Sequence, residues 1–236
     1  MTRFQRAILT SSALIGLSAA GAPAFAANIN VDNVQLPYSE TVNLNGYIDG
    51  SPFSDSNQLA GQIVLTVNNV GSASQYTLPV WCVDLFHTIS LGGSGYLYSQ
   101  GPLTNDHSNA ARALSSTQMT DITDLATYGN HLMQTSPSNR TSALVQAAIW
   151  TVEYNDAYNP GTGNSLSVIP TSNDFDAADI TNMINSAVAY GGSAGQLIAL
   201  SGTQAEVFDA AVPEPASFAL LGVGLLGLAA VRRRNS

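Results

Sequence analysis

Two residues stand out because each places polar or reactive chemistry in strongly apolar surroundings. Cys82, the only cysteine of the chain, lies in the run Trp81-Cys82-Val83-Asp84-Leu85. Gln146 lies in the run Leu144-Val145-Gln146-Ala147-Ala148-Ile149-Trp150, which predicts a buried helix. A lone cysteine excludes an internal disulfide and leaves a partner chain, a free thiol or other chemistry. A buried glutamine must find hydrogen-bond partners or react.

Together the two segments resemble the thioester domain of bacterial surface adhesins. That family pairs a strand motif, an aromatic residue or Leu followed by Cys and an apolar residue, with a later helix motif. The helix motif is apolar-Gln-x-x-apolar-apolar, often ending in Ile-Trp, and residues 145–150 fit it in full. In the strand motif Trp81 replaces the more usual Tyr, Phe or Leu. The resemblance spans roughly residues 40–160 in the order of elements.

The resemblance implies that Cys82 Sγ and Gln146 Cδ condense, with loss of ammonia, to an internal thioester. A thioester is a better acyl donor than an amide, because sulfur donates less electron density to the carbonyl and a thiolate is a good leaving group. The bond would store an electrophile for an amine or hydroxyl on a partner molecule. The protein would react once without turnover, so we expect no enzyme activity and no cofactor.

For such a bond to form, the helix must cross the strand with Gln146 facing Cys82. Ala143, Trp150 and Glu153 share the face of Gln146 on a helix. We expect Trp150 to pack over the junction and limit water, and Glu153 to lie nearer the rim.

Trp81 and Asp84 are the candidate supporting residues on the strand side. Asp84 is two residues after Cys82 and would share its face of a regular strand. It could orient the site, tune the attack or satisfy a backbone group.

Two other interpretations of Cys82 compete with the thioester. The thiol could be a small buried hydrophobe in a structural protein of the extracellular polysaccharide matrix. It could also be the nucleophile of a hydrolase, with His87, His107 or His131 as the base. In a regular strand His87 would face away from Cys82, and no protease signature surrounds the cysteine. The enzyme is therefore the weaker alternative.

A metal site is also not expected. Asp174 and Asp176 are spaced like ligands of a hard cation, but no glycine and distal glutamate complete a calcium loop. These two residues instead predict an acidic helix N-terminus.

The charge of the central segment excludes several classes of partner. Between residues 27 and 212, Arg112 and Arg140 are the only basic side chains apart from histidine, against fifteen Asp and Glu. Such a surface argues against nucleic acid and anionic lipid as partners. The sequence has no lysine, which suits a thioester protein that must not cross-link itself, although a lysine-poor secreted composition is the simpler explanation.

The elements that must position the two residues follow from the apolar pattern. Strands are expected, in chain order, at 41–48, 62–67, 76–86, 89–98 and 205–208. Helices are expected at 109–114, 116–133, 141–154 and 174–190. Thr141 or Ser142 is the candidate cap of the helix that carries Gln146. This order predicts an α+β fold, a β-sandwich or barrel with a helical insertion.

Both ends of the sequence predict processing signals. Residues 1–26 predict a signal peptide, with Arg3 and Arg6 before an apolar run and Ala24-Phe25-Ala26 as the cleavage site. At the other end, Pro213-Glu214-Pro215 precedes the apolar run 216–231, a marginal transmembrane helix. Arg232, Arg233 and Arg234 follow this run and predict that its end faces the cytoplasm.

This order of motif, apolar run and arginine cluster resembles the PEP-CTERM sorting tail. It implies recognition by an exosortase in a Gram-negative-type bacterium that makes exopolysaccharide. We therefore divide the chain into a signal peptide (1–26), a thioester-domain-like extracellular domain (27–211) and a sorting tail (212–236). We expect transient insertion in the inner membrane through the C-terminal helix, then the cell surface or matrix. The expected partner there is an amine- or hydroxyl-bearing surface target or exopolysaccharide.

Overall fold

The computed structural model describes residues 28–102, 114–199 and 204–209. The predicted signal peptide, the sorting tail and most of the predicted helix at 109–114 lie outside the described residues. The described elements, in chain order, are β1 (Asn28–Ile48), β2 (Ser51–Asn69), β3 (Gln75–Cys82), β4 (Tyr96–Pro102), α1 (Ser116–Thr135), α2 (Asn139–Glu153), β5 (Ser167–Pro170), α3 (Ala177–Tyr190), β6 (Ala194–Ala199) and β7 (Glu206–Asp209). The predicted α+β class is confirmed.

The strands form one seven-stranded sheet, and its pairings are antiparallel. Its hydrogen-bonded order is β2-β3-β7-β6-β4-β1-β5, with an additional pairing of β2 with β1. The long strand β1 therefore pairs with β2 over nearly its whole length and also with β4 at 28–31 and β5 at 42–45. Where a β-sandwich or barrel with a helical insertion was expected, the described part of the chain has this single sheet and three helices.

The long β1–β2 hairpin follows from its turn residues. Asp49 and Gly50 both have positive φ, 54° and 71°. These values match the two-residue hairpin turn whose twist suits right-twisted strands. Ile48 pairs with Ser51 on either side of the turn, and register shifts interrupt the ladder at three points. Only the segments 41–48 and 62–67 of this hairpin were predicted as strands, although Ile29, Val31 and Val34 of the remainder are also buried.

The helix boundaries follow from side-chain caps. Ser115 caps α1 and forms a capping box with Gln118. Ser138 caps α2 by accepting a hydrogen bond from Thr141 N, so the expected cap at Thr141 or Ser142 is wrong by about one turn. Asp176 caps α3, which confirms an acidic residue at that helix N-terminus.

Two strand predictions differ from the structure. β3 ends at Cys82 rather than continuing to residue 86, and the next residues form bends. The stretch 89–95 is a turn-rich loop, and β4 begins only at Tyr96. Val83 is apolar because it is buried beside the helices, not because the strand continues through residues 83–86.

The core has two clusters. One packs the helices against the sheet and includes Trp81, Leu125 and Ile149. The other lies among the strands and includes Val80 and Tyr98. Cys82 belongs to the first cluster although Val80, on the same strand, belongs to the second, so the end of β3 lies where they meet. Among the described helices, none is long and apolar enough to cross a membrane.

Candidate functional site

The side chain of Gln146 is bonded to the main chain of Cys82. The Cys82 N–H donates to Gln146 Oε1 at 3.0 Å, and Gln146 Nε2 donates to the Cys82 carbonyl at 2.9 Å. The pairing of β2 with β3 ends at Ile63 and Val80. At Cys82 the amide of Gln146 therefore makes the two main-chain hydrogen bonds that β2 would make if the pairing continued. The structure thus brings together the two residues of the predicted thioester.

Helix α2 is held in this position by a second polar contact one turn earlier. Ser142 Oγ donates to the Tyr38 carbonyl at 2.8 Å and accepts from Gln62 N at 2.7 Å. A Cβ at Gly61 would lie 2.3 Å from the Tyr38 carbonyl oxygen and 3.0 Å from Ser142 Oγ, so this approach requires glycine. Ser142 and Gln146 are four residues apart and share a helix face, so both polar side chains reach strand backbone.

The sulfur of Cys82 is surrounded by polar groups in a buried position. Sγ donates to the Asp84 carbonyl at 3.2 Å and accepts from Asp84 N at 3.4 Å and Gln204 Nε2 at 2.7 Å. Burial raises the pKa of the Cys82 thiol well above its ordinary value, and ionisation of Glu206 would raise it further. The neutral thiol is therefore the favoured form.

Trp150 lies at the site, as expected from its helix position. It is 3% exposed and, with Cys82 and Gln146, lines a cavity of about 270 Å³. Its indole lies near enough to the sulfur to lower the pKa of the thiol slightly, yet its Nε1 forms no hydrogen bond of ordinary geometry with the described residues. The cavity wall also contains apolar and neutral polar side chains, among them Leu36, Gln58, Ile63, Thr88, Ile89 and Gln204.

Trp81 and Asp84 support the site differently from the prediction. Trp81 packs on Gly129 among the helices, and its Nε1 donates to Asn130 Oδ1 at 3.0 Å. Because β3 ends at Cys82, Asp84 lies outside the strand, and the alternation that would place it on the same face as Cys82 does not reach it. Asp84 contacts the sulfur through its backbone, while its carboxylate binds His87 Nδ1 at 2.6 Å and accepts from Phe86 N at 2.8 Å.

The other predicted neighbours on α2 are both buried. Ala143 is 0% exposed and Glu153 is 5% exposed. The expectation that Glu153 lies near a rim is therefore wrong, because α1 and its Gln118 side chain cover the end of α2 at Val152 and Glu153.

A hydrolase would need a histidine base at the Cys82 thiol, and the described residues place none there. Among the described residues, no hydrogen bond joins His87 to the thiol, and His87 instead binds Asp84. His131 stacks with Tyr128 and Tyr190 on the helices, and His107 lies outside the described residues. The described residues contain no group of His, Cys, Asp and Glu that could hold a metal ion.

Gln204 and Glu206 were missed by the sequence argument. Both reach the site from the end of the described chain, and Glu206 stands opposite Cys82 in the β3–β7 pairing. The available signal was an acidic residue inside the apolar run Ala205-Glu206-Val207-Phe208. Because charged residues are almost never fully buried without a partner, a glutamate in an apolar strand indicates either a buried partner or a functional role.

The arrangement can polarise the amide of Gln146. The Cys82 N–H points at Oε1, the atom that would gain negative charge if a nucleophile added to Cδ. A fixed backbone donor at this atom stabilises such an oxyanion. The same residue therefore supplies a thiol and a carbonyl-polarising group.

Residues 211–234 match the family model of the PEP-CTERM protein-sorting motif. The matched segment contains Pro213-Glu214-Pro215 and the arginines 232–234. This motif indicates recognition by an exosortase and export through the membrane to the cell surface. Searches of curated proteins and of solved structures find no match to the chain. The function of the domain that precedes the tail must therefore be argued from its geometry.

Proposed function

We propose that this exosortase-sorted surface protein is a covalent adhesin-like module with an internal thioester between Cys82 and Gln146. The observation that carries the proposal is the pair of hydrogen bonds, 3.0 and 2.9 Å, by which the Gln146 amide is fixed on the main chain of Cys82. A buried glutamine that only filled space could be satisfied in many ways. Here it is fixed on the one cysteine of the sequence.

The surroundings favour a bond that is stored rather than turned over. Cys82 is 3% exposed and Gln146 is 1% exposed, so bulk water has little access. The adjoining cavity of about 270 Å³ has room for a small nucleophilic group, and none of the described residues that line it is charged. An amine or hydroxyl of a surface molecule or exopolysaccharide would attack Cδ, forming an amide or ester and releasing the Cys82 thiol.

The test is the covalent state of the full-length chain, purified in detergent. Intact mass should be one ammonia lower than the sequence predicts for that preparation, and digestion should yield the Cys82 and Gln146 peptides joined. Methylamine should add to Gln146 and release a thiol. Cys82→Ala and Gln146→Ala should each abolish all three signals. Gln118→Ala, which removes an equally buried glutamine, is the matched control and should retain them.

The burial of Cys82 decides which result contradicts the proposal. Resistance of the thiol to alkylation in the folded protein does not distinguish the thioester from a free thiol, because Cys82 is buried. Full mass, with Gln146 as glutamine and a thiol that appears only on unfolding, would favour the structural matrix protein. Glu in place of Gln146 in the peptide would instead show a thioester that had formed and hydrolysed.

A further inference from the structure

A glutamate is the cross-strand neighbour of Cys82. β3 and β7 pair antiparallel with Cys82 opposite Glu206. The N–H and carbonyl of Cys82 point to Gln146, whereas Val83 N–H donates across the pair to the Ala205 carbonyl at 3.1 Å. Cys82 and Glu206 thus form a non-hydrogen-bonded pair, the arrangement in which opposite side chains share a face and approach most closely.

The carboxyl of Glu206 is buried and has no hydrogen-bond partner among the described residues. Glu206 is 0% exposed, and both carboxyl oxygens lack such a partner. Burial, and then the negative charge of Asp84, raise the pKa of this carboxyl well above its ordinary value. The favoured neutral form is both a proton donor and a proton acceptor.

Several titratable and charged groups surround Cys82 and Glu206. On the β3 side they are Cys82 and Asp84, the latter bound to His87, and the β6 residue opposite Glu206 is Leu197. Glu153 and Tyr154, from the end of α2, interact electrostatically with Cys82. Arg140, the only Arg or Lys in the described part of the chain, binds Asp179 at 3.0 Å.

We infer that Glu206 is the proton-transfer residue for the sulfur of Cys82. The inference rests on the proposed thioester, which requires the thiol to lose a proton when it attacks and the thiolate to regain one when it leaves. A buried neutral thiol needs a neighbouring group to take its proton as the sulfur attacks. Glu206 stands opposite it on the same face, and neither of its carboxyl oxygens is hydrogen-bonded within the part of the chain that the structure describes.

The proton balance of thioester formation closes within the three side chains. As the Sγ–Cδ bond forms, one oxygen of the neutral carboxyl accepts the thiol proton. The hydroxyl proton of the same carboxyl passes to the nitrogen of Gln146 as the Cδ–N bond breaks, so ammonia leaves and Glu206 is again neutral. When a partner amine later attacks Cδ, its proton returns through the carboxyl to the departing sulfur.

The experiment follows thioester formation in time. The full-length chain is unfolded in reductant, with its thioester cleaved by ammonia to regenerate Gln146, and refolded in detergent while intact mass is recorded. Glu206→Gln, which keeps the shape but cannot relay the proton, should lose ammonia about a hundredfold more slowly than wild type. Glu206→Asp should fall between them. Glu153→Gln removes another buried acid, whose charge raises the pKa of the Cys82 thiol, and should therefore react no more slowly than wild type.

Each outcome bears on a different claim. A wild-type chain that never loses ammonia overturns the proposed function and this inference together. A wild-type chain that does, beside a folded Glu206→Gln variant of equal rate, overturns the role of Glu206 alone. Equal slowing in Glu206→Gln and Glu153→Gln also overturns it, because any buried charge would then suffice. If Glu206→Gln fails to fold by circular dichroism, the rate of Glu206→Asp decides: an unchanged rate contradicts the role, and a slower rate supports it.

Discussion

Two buried glutamines on neighbouring helices form similar hydrogen bonds with different kinds of partner. Gln118 is 2% exposed and Gln146 is 1% exposed. Gln118 accepts from Ser115 N at 2.9 Å and donates to the carbonyls of Val152 and Glu153, both at 2.8 Å. It joins the start of α1 to the end of α2. Gln146 bonds instead to a strand edge that carries a thiol and borders a cavity.

The difference shows that a buried amide becomes a candidate reactive group through its partner, not through its burial. Gln118 satisfies carbonyls that a helix end would leave unpaired. Gln146 satisfies one N–H and one carbonyl of a single residue, and this residue has a nucleophilic side chain. Variants at the two positions separate the structural role from the chemical one.

The largest expected effect is on stability, measured in a Cys82→Ala background in which no thioester can form. Gln118→Ala should cost about 3 kcal/mol of unfolding free energy, because it leaves two buried carbonyls and one half-buried N–H unpaired. Gln146→Ala should cost about 2 kcal/mol, because it leaves two buried backbone groups unpaired. Urea unfolding measures both. A larger cost at Gln146 would contradict the assignment of Gln118 as the structural glutamine.

Gly129→Ala should have the next largest effect. A Cβ there would lie 2.6 Å from Val145 and 2.8 Å from the Trp81 ring. Forcing α1 away from these groups should cost about 2 kcal/mol. Trp81 packs among the helices while the thiol adjoins the cavity, so the folded variant should still lose one ammonia. Thermal unfolding and intact mass check the two statements, and loss of the thioester in a folded variant would refute the second.

Trp150→Phe should shorten the life of the thioester several-fold without preventing its formation. The smaller ring covers less of the junction between Cys82 and the cavity, so water reaches Cδ more often. Conversion of Gln146 to Glu over time, followed by peptide mass, gives the rate. Trp81→Phe is the matched control: it removes the indole that binds Asn130, so it should lower stability but leave the hydrolysis rate unchanged.

The smallest expected effect is a pH dependence of stability. Because the pKa of Glu206 is higher in the folded protein than its ordinary 4.5, the folded state holds a proton that the unfolded chain releases. This contribution is fully present below the unfolded pKa and is lost as pH rises through the folded pKa. The melting temperature of wild type should therefore fall more steeply with rising pH than that of Glu206→Gln. Parallel curves would contradict the raised pKa.

Much of the helical half could be predicted because its patterns are local. The predicted helix 116–133 corresponds to α1, Ser116–Thr135, and the apolar run around Gln146 became a buried helix. The cap of α2 was missed because Ser138, Thr141 and Ser142 are equally good caps by type. Tertiary contacts decided among them: Ser142 is occupied by Tyr38 and Gln62 on the strands.

The strand half was predicted less completely. The first part of β1 alternates polar and apolar residues at 28–32 but was not predicted, and β5 and β6 are short strands; all three pair with a neighbouring strand. Likewise, nothing in the run after Cys82 indicates that β3 ends there. The Gln146 amide bonds to the main chain of Cys82, and β3 ends at this residue.

By itself the sequence determined the sorting tail, the buried character of Cys82 and Gln146 and the helices that carry much of the core, since each is recorded in a contiguous run of residue types. Only the tertiary structure decided that the Gln146 amide bonds to the main chain of Cys82 and that Glu206, 124 positions along the chain, stands opposite the thiol. The physical reason is that hydrophobic patterns specify which residues are removed from water. They do not specify which buried groups meet, because that depends on strand register and helix placement across the whole chain.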